Sequence, residues 1–342
     1  FSARMRSMEF LGSHILSIDQ FERPDIEKIF STSDHLLPYA KRERITRILQ
    51  GAILSNMFFE PSTRTRISFG SAFNILGGEV RETTGIEATS LSKGESLYDT
   101  SRVLSGYSDI IVMRHHEAGS VSEFADASRV PVINGGDGDN EHPSQALLDL
   151  YTIEKELKSK NKTIDGLRIA LIGDLKYGRA VHSLCKVLSL FNNVTINLVS
   201  PEKLELPSSI KESFGNSSVS FFETDDIKEG ISDVDIIYMT RIQEERFSSR
   251  NESDKYKGLM SLNQEIYTKN CEPNTIIMHP LPRDSRPDAN ELDSDLNQNP
   301  NLAIYRQTDN GLLIRMALFS LVLGVDKKIE DSTSEIAWYS DK

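Results

Sequence analysis

Short apolar runs recur along the chain, and each is followed by a turn rich in Gly, Pro or Asp and then by an amphipathic stretch. Most runs are apolar at successive positions, so both faces of each strand would be buried, as in the parallel sheets of α/β proteins. We therefore predict two such sheets. The predicted strands are 52–59, 109–113, 130–133, 167–172, 194–199, 235–239 and 275–278.

Two longer apolar patterns have helical spacing. Residues 142–160 predict one long helix with a proline near its start, and 311–325 predict a C-terminal helix. The fold class expected is α/β, with two doubly wound parallel-sheet domains joined by the long helix and the C-terminal helix packing back on the first domain. The domains expected are 8–147, completed by 308–326, and 148–307. The charged, Ser-rich segment beyond 326 is expected to be loosely held.

The composition of the chain narrows the classes of partner that it can have. The chain has 342 residues, enough for two domains, and 39 Lys plus Arg against 51 Asp plus Glu give a net charge of −12. An acidic surface repels phosphate backbones and anionic lipids, and no apolar stretch is long enough to span a bilayer, so we expect neither nucleic acid nor membrane as a partner. A cluster of arginines in such a protein is informative, because it acts against the overall field.

The two cysteines, Cys185 and Cys271, lie far apart in the sequence. They provide neither a disulfide framework nor a Cys-based metal site. A reducing cytoplasm is the expected location, and no metal or other cofactor is expected.

Residues 59–66 read Phe-Glu-Pro-Ser-Thr-Arg-Thr-Arg and lie between a predicted strand and a predicted helix, with Ser62 placed as the N-cap. A helix N-terminus offers unpaired backbone N–H groups and the positive end of the helix dipole. Hydroxyls and guanidiniums added at that point would form a cradle for a phosphate or a carboxylate. The alternative is a well-capped helix with two solvated arginines.

Further polar residues follow other predicted strands. In the first half, Arg114, His142 and Gln145 are placed where an open α/β sheet binds its ligand, and His and Gln can donate hydrogen bonds to a carbonyl oxygen. In the second half, Arg179 and Arg241 could each grip a carboxylate, as a dicarboxylate ligand requires. The alternatives are a structural cap at 142–145 and surface ion pairs for the arginines.

A nicotinamide cofactor is disfavoured, because the turn at 173–178 lacks the G-x-G-x-x-G spacing of a dinucleotide-binding loop.

In their order along the chain, these segments closely resemble those of aspartate carbamoyltransferase catalytic chains. The resemblance runs from about 19 to 325. It rests on 59–66, Arg114-His115, 136–138 with 142–145, 173–175, 240–243 and 279–283.

The family transfers the carbamoyl group of carbamoyl phosphate to L-aspartate, an early step of de novo pyrimidine biosynthesis. The resemblance implies a catalytic set of Arg64, Thr65, Lys93, Arg114 and His142. The phosphate would be held by Ser62, Thr63, Arg64 and Thr65. The carbamoyl oxygen would be polarised by Thr65, Arg114 and His142, and the carbamoyl NH₂ held by Gln145 and the backbone of Leu281 and Pro282. L-Aspartate would be bound by Ser90, Lys93, Arg179, Arg241 and Gln243.

The resemblance also implies a homotrimer with shared active sites. The loop that carries Ser90 and Lys93 would reach into the site of a neighbouring subunit, and here this loop is polar and contains Gly94. A regulatory chain or a larger assembly is left open.

Two alternatives are weighed. Ornithine carbamoyltransferases share the Ser-Thr-Arg-Thr-Arg pattern but recognise their amino acid with a Ser-Met-Gly segment and a Cys in a His-Cys-Leu-Pro turn; this chain has Pro280 in place of that Cys and contains no Ser-Met-Gly. The second alternative is a non-catalytic anion-binding module. The joint presence of six candidate residues argues against it: Arg64, Arg114, His142, Arg179, Arg241 and Gln243.

Overall fold

The computed structural model describes residues 7–85, 93–215 and 217–338. The chain divides into two compact units: unit 1 comprises Phe1–Leu147 with Asp309–Lys342, and unit 2 comprises Leu148–Thr308. Each unit is built on its own parallel sheet flanked by helices, which confirms the predicted α/β fold class. Two helices, α5 (Pro143–Lys158) and α11 (Ile304–Val322), contribute residues to both units.

The sheet of unit 1 has the strand order β3-β2-β4-β5, and every neighbouring pair is parallel. The elements before α5 are α1 (Arg23–Ala40), β1 (Arg44–Ile45), β2 (Ile53–Phe58), α2 (Thr63–Ile75), β3 (Glu79–Thr84), α3 (Leu97–Leu104), β4 (Ile110–His115), α4 (Ser120–Ala127) and β5 (Val132–Asp137). Strands β4 and β5 are buried along their whole length, and the apolar runs 109–113 and 130–133 predict the first part of each. The edge strand β3 is mostly exposed and polar, and for that reason it has no apolar run to predict it.

Strand β5 differs from the prediction of a strand at 130–133 followed by a glycine-rich turn at 134–139. The strand continues to Asp137, and Gly135 and Gly136 lie inside it. A Cβ on Gly135 would lie 3.3 Å from the carbonyl oxygen of Met113 on β4, a contact tighter than ordinary packing. The predicted turn is wrong because these glycines permit a close approach of strands.

Helix α11 packs back on unit 1 over its second part, as predicted. The ring of Phe319 contacts those of Phe69 and Phe73 on α2 edge-on, with centroids 5.9 and 5.0 Å apart. Arg315 Nη1 also donates a hydrogen bond to Ser68 Oγ at 2.7 Å. Although α11 has 19 residues, neither it nor any other helix of the described residues is long and apolar enough to cross a bilayer.

The segment that follows α11 is held against α1 and β1, so the expectation of a loose segment beyond 326 is wrong. It forms a 3₁₀ helix, Ile329–Ser332, and a short strand, β11 (Ser334–Glu335), which pairs antiparallel with β1. Thr46 is buried beneath it, and its hydroxyl donates to the carbonyl oxygen of Ile329 at 3.0 Å. Burial of the Ile329 side chain and the backbone pairing of β11 with β1 hold a segment whose composition alone indicates a loose one.

The sheet of unit 2 has the order β10-β9-β6-β7-β8, again with every neighbouring pair parallel. After α5, the elements are β6 (Arg168–Ile172), α6 (Arg179–Leu188), β7 (Val194–Val199), α7 (Ser208–Glu212), β8 (Val219–Thr224), α8 (Ile227–Gly230), β9 (Ile236–Met239), α9 (Arg250–Ser253), α10 (Gln264–Asn270) and β10 (Ile276–Met278). The edge strand β8 alternates between exposed and half-buried positions, and the apolar pattern misses it as it misses β3.

The turn after β6 depends on Gly173. Its φ of +116° is a left-handed conformation, and a Cβ at this position would overlap the backbone carbonyl oxygen of Thr240, which follows β9. The absence of a side chain therefore lets the carboxyl ends of β6 and β9 approach one another.

We predict that Gly173→Ala destabilises the protein more than Gly166→Ala. Gly166 has a similar φ of +85° but no atom within 4 Å of its would-be Cβ, so its substitution costs only the backbone strain, about 1 to 2 kcal/mol. Gly173→Ala adds a backbone clash and should cost about 3 kcal/mol or more. Thermal unfolding of both variants measures the difference. Equal losses would mean that the close approach is not a constraint.

Candidate active site

Residues 59–66, the predicted anion cradle, lie in unit 1 where β2 ends and α2 begins. Ser62 occupies the N-cap position, as predicted, but its hydroxyl makes no capping hydrogen bond in the described structure. Thr63 and Arg64 are exposed, whereas Thr65 is buried in the first turn of the helix. The start of α2 therefore brings hydroxyls, a guanidinium and the N–H groups of a helix terminus together.

Arg114 lies at the same edge of the sheet, because its register partner on β2 is Phe58. The side chain is buried, and Nη1 donates to the carbonyl oxygen of Gly135 at 3.2 Å. Its Nε lies 3.0 Å from Glu60 Oε2. The guanidinium is thus held by groups that follow or belong to β2 and β5, and Glu60 offsets part of its charge.

Asp137 fixes the turn that leads from β5 into α5. Its buried carboxylate accepts hydrogen bonds from Asn134 Nδ2 at 2.9 Å, from the backbone N–H of Gly119 at 2.9 Å and from that of Glu141 at 3.1 Å. The next residue, His142, is buried and precedes the first residue of α5. The turn held by Asp137 therefore sets the position of His142 between β5 and α5.

Gln145 is half-buried in the first turn of α5, and its backbone N–H donates to the carbonyl oxygen of His142 at 2.9 Å. Both predicted residues of this segment thus lie at the carboxyl end of β5, next to β4 in the sheet order.

Ser90 and Lys93 are the two loop residues predicted to act between subunits. Ser90 lies outside the described residues. Lys93 is described and exposed, and it makes no hydrogen bond or ion pair with another described residue. The role of this loop stays a prediction.

In unit 2, the buried carboxylate of Asp174 joins two loops. Its Oδ1 accepts from the backbone N–H of Tyr177 and its Oδ2 from that of Gln243, both at 3.0 Å. Burial raises the pKa of Asp174, while these backbone hydrogen bonds and the nearby His182 oppose the rise. One side chain therefore ties the turn after β6 to the loop after β9.

Three of the predicted aspartate-binding residues, Arg179, Arg241 and Gln243, lie on or directly after those two loops. Arg179 is half-buried and is the first residue of α6, two positions after Tyr177. Arg241 is half-buried after β9, and its Nη1 donates to the carbonyl oxygen of Ile242 at 3.0 Å. The structure therefore brings Arg179, Arg241 and Gln243 to the carboxyl ends of the adjacent strands β6 and β9, where α/β sheets bind ligands.

Leu281 and Pro282 follow β10, the neighbour of β9, at the same edge. The peptide bond between them is cis, and Leu281 has a φ of +58°. A bulky residue rarely adopts this left-handed conformation.

Motif reading missed the roles of Asp137 and Asp174. Both belong to segments singled out in the sequence, Gly-Asp-Gly at 136–138 and Gly-Asp-Leu at 173–175. The usable signal was an aspartate directly after a glycine at a strand end, since such a carboxylate can accept backbone N–H groups of neighbouring turns. Across the described part of the chain, no group of three or more His, Cys, Asp or Glu residues could hold a metal ion.

Comparison with known proteins now adds to the geometry. The family model for the aspartate/ornithine carbamoyltransferase carbamoyl-P binding domain matches residues 13–155, and the model for the Asp/Orn binding domain matches residues 165–322. The chain belongs to the aspartate/ornithine carbamoyltransferase family.

Similar relatives carry a more particular name. The chain is 66% identical to the aspartate carbamoyltransferase catalytic subunit of Cellvibrio japonicus, over 97% of this chain and 98% of the relative. It is 64% identical to the protein of the same name from Saccharophagus degradans, over 98% and 99%.

Solved structures agree. The catalytic subunit of M. jannaschii aspartate transcarbamoylase matches with a TM-score of 0.81 and 42% identity, over 93% of this chain and 98% of that one. Aspartate transcarbamoylase from Trypanosoma cruzi in complex with N-(phosphonacetyl)-L-aspartic acid matches with a TM-score of 0.84 and 36% identity, over 93% and 98%.

We predict that Asp174→Asn loosens the two loops it joins. An asparagine keeps one acceptor oxygen but replaces the other with an NH₂ group, which cannot accept a backbone N–H, so one of the two bonds is lost. Amide hydrogen exchange should increase by about tenfold or more in the segments that contain Tyr177 and Gln243. Asp226→Asn is the control, because Asp226 is an exposed N-cap of α8 and asparagine caps equally well. Unchanged exchange in Asp174→Asn would remove this carboxylate as the tie.

Proposed function

We propose that this chain transfers the carbamoyl group of carbamoyl phosphate to the amino group of L-aspartate, giving N-carbamoyl-L-aspartate and phosphate, an early step of UMP biosynthesis. The observation that carries the proposal is that each unit presents anion-binding groups at the carboxyl edge of its own sheet. Relatives named aspartate carbamoyltransferase, matched over nearly the whole chain, support the same substrate pair.

Unit 1 is assigned to the phosphate group and the carbonyl oxygen of carbamoyl phosphate. The N-terminus of α2, with Ser62, Thr63, Arg64 and Thr65, would hold the phosphate through backbone N–H groups, hydroxyls and a guanidinium. Arg114, His142 and Thr65 would donate hydrogen bonds to the carbamoyl oxygen. Gln145 and the backbone of Leu281 and Pro282 would hold the carbamoyl NH₂.

Those donors act on the charge that the reaction creates. The aspartate amine attacks the carbonyl carbon, and negative charge grows on the carbamoyl oxygen of the tetrahedral intermediate. The bond from carbon to the phosphate oxygen then breaks, phosphate departs with that electron pair, and the amine proton passes to the phosphate. Preorganised donors at such an oxygen are worth about 3 to 4 kcal/mol each in acyl-transfer enzymes.

Unit 2 is assigned to L-aspartate. Arg179 and Arg241 lie on the two loops joined by Asp174, and each guanidinium can bind a carboxylate with two parallel hydrogen bonds. Gln243, Ser90 and Lys93 complete the proposed set. Pro280 stands where ornithine carbamoyltransferases have their cysteine, and a pair of arginines suits a dicarboxylate rather than the second amine of ornithine.

We predict that Arg241→Ala and Arg64→Ala impair different substrates. Arg241→Ala should raise the aspartate KM roughly 10- to 100-fold, because a charged hydrogen-bonding partner of a carboxylate is lost, and leave carbamoyl phosphate binding nearly unchanged. Arg64→Ala should weaken carbamoyl phosphate binding by a similar factor and nearly abolish turnover. Steady-state kinetics and calorimetry measure both.

The matched control is Arg168→Ala, which removes an exposed arginine at the start of β6 that pairs with Asp233. It should behave as the parent protein does. Both site variants should also bind N-(phosphonacetyl)-L-aspartate more weakly, since this mimic carries both anionic groups. Loss of carbamoyl phosphate binding in Arg241→Ala, with retention in Arg64→Ala, would reverse the assignment.

The assembly is proposed on the family resemblance. We place the chain in a homotrimer in the cytoplasm, with Ser90 and Lys93 completing the site of a neighbouring subunit. A regulatory partner is compatible with relatives named catalytic subunits.

The proposal of a shared site can be tested by mixing the subunits of two variants. Arg64→Ala and Lys93→Ala proteins, each inactive alone, should regain activity after their subunits are reshuffled. Random equal mixing leaves roughly one site in four with an intact Arg64 and an intact neighbouring Lys93. Lack of recovery in mixed trimers verified by native mass spectrometry would remove the shared-site assignment.

A further inference from the structure

The imidazole of His279 is fixed between two partners at the carboxyl end of β10. It is 1% exposed, and its Nδ1 accepts the backbone N–H of Leu281 at 2.8 Å. Its Nε2 lies 2.8 Å from Glu291 Oε1. Because Nδ1 accepts a hydrogen bond, the proton lies on Nε2, and the neutral ring donates to Glu291. Burial lowers the pKa of His279 despite Glu291, which agrees with a neutral ring.

Glu291 also holds the far end of the same turn. The buried carboxylate accepts the backbone N–H of Asp284, with that nitrogen 3.0 Å from Oε1 and 3.2 Å from Oε2. The turn 281–284 is therefore anchored at both ends by one imidazole and one carboxylate. Left-handed Leu281 lies at the first anchor, and such a conformation persists only when its surroundings hold it.

The anchored turn is joined to the loop that carries Arg241 and Gln243. Asp284 Oδ1 accepts from Arg286 Nε at 3.0 Å, and the guanidinium of Arg286 also pairs with Glu244. Hydrogen bonds from Arg286 lower the pKa of Glu244, which directly follows Gln243 in the chain. All of these groups belong to unit 2.

We propose that His279, supported by Glu291, is a positioning residue that orients the Leu281–Pro282 backbone toward the carbamoyl NH₂ group. The proposal rests on the function proposed above, in which that backbone holds the amino group of carbamoyl phosphate. His279 itself touches no substrate. Its Nδ1 accepts the Leu281 N–H, and this hydrogen bond fixes the direction in which the backbone carbonyl groups of Leu281 and Pro282 point.

Two substitutions separate the two hydrogen bonds of the ring. In His279→Asn, the side-chain oxygen takes the place of Nδ1 and can accept the Leu281 N–H, while the contact with Glu291 is lost. In His279→Gln, the longer amide reaches Glu291 and donates to it, but the Leu281 N–H is left without an acceptor. Each variant is the control for the other, because both replace the ring with a smaller amide.

We expect His279→Asn to keep turnover within about threefold of the parent, and His279→Gln to lose about tenfold or more in kcat. Inhibition by inorganic phosphate should be unchanged in both variants, because the residues proposed to bind the phosphate belong to unit 1 and His279 belongs to unit 2. Equal losses in the two variants that follow their thermal stability would overturn the proposal, since the ring would then be a packing element only. Greater loss in His279→Asn would also overturn it.

Hydrogen exchange provides a readout that needs no activity. In the peptide 279–284, the Leu281 amide should lose protection in His279→Gln and keep it in His279→Asn. If the parent protein transfers no carbamoyl group while this exchange pattern appears, the proposed function fails and the anchoring of the turn holds. If the parent is active and Leu281 is equally protected in both variants, the positioning role fails alone.

A second pair of variants, at Glu291, tests the proposal if the His279 variants do not fold. Glu291→Gln keeps an acceptor oxygen for both the His279 Nε2–H and the Asp284 N–H and should retain activity. Glu291→Met removes both acceptors, so it also releases the Asp284 end of the turn, which His279→Asn leaves anchored, and it should reduce kcat about tenfold. Equal activity of the two Glu291 variants would contradict the proposal.

Discussion

Burial of both faces of a parallel sheet is the constraint from which the site follows. In strands β4, β5, β6 and β9 nearly every side chain is buried, so no functional group can project from the middle of these strands into solvent. Polar groups emerge only where the strands end. Arg114 and His142 in unit 1, and Arg241 and Gln243 in unit 2, accordingly lie at or just after the carboxyl ends of strands.

The loops at those ends are held by buried carboxylates. Asp137 in unit 1 and Asp174 in unit 2 each follow a glycine near a strand end and accept backbone N–H groups from neighbouring turns. Taking a carboxylate out of water is costly, and the hydrogen bonds it accepts offset that cost. The same arrangement recurs in the turn after β10, where Glu291 and His279 hold Asp284 and Leu281. The predicted binding residues Arg241 and Gln243 therefore lie on a loop whose backbone is held by a buried carboxylate.

The sequence predicted the central strands and the candidate residues because both leave a local pattern. Apolar runs identified β2, β4, β6, β7, β9 and β10, and Ser-Thr-Arg-Thr-Arg after a strand indicated an anion cradle. The edge strands β3 and β8 were missed, because one-sided burial allows polar residues. The segment after α11 was misjudged, because its contacts are with residues distant in sequence, Thr46 among them. The acceptor roles of Asp137 and Asp174 depend on loop geometry, and their local signal is only a glycine followed by an aspartate at a strand end.

The most direct measurement is to follow the label when the protein is given ¹³C-carbamoyl phosphate with equal amounts of L-aspartate and L-ornithine. The account predicts that the ¹³C NMR signal moves to N-carbamoyl-L-aspartate, with one phosphate released for each product formed. Label that appears in carbamoyl-ornithine would contradict the assignment of Arg179 and Arg241 to a dicarboxylate. Phosphate release without any carbamoylated amino acid would contradict the transfer itself.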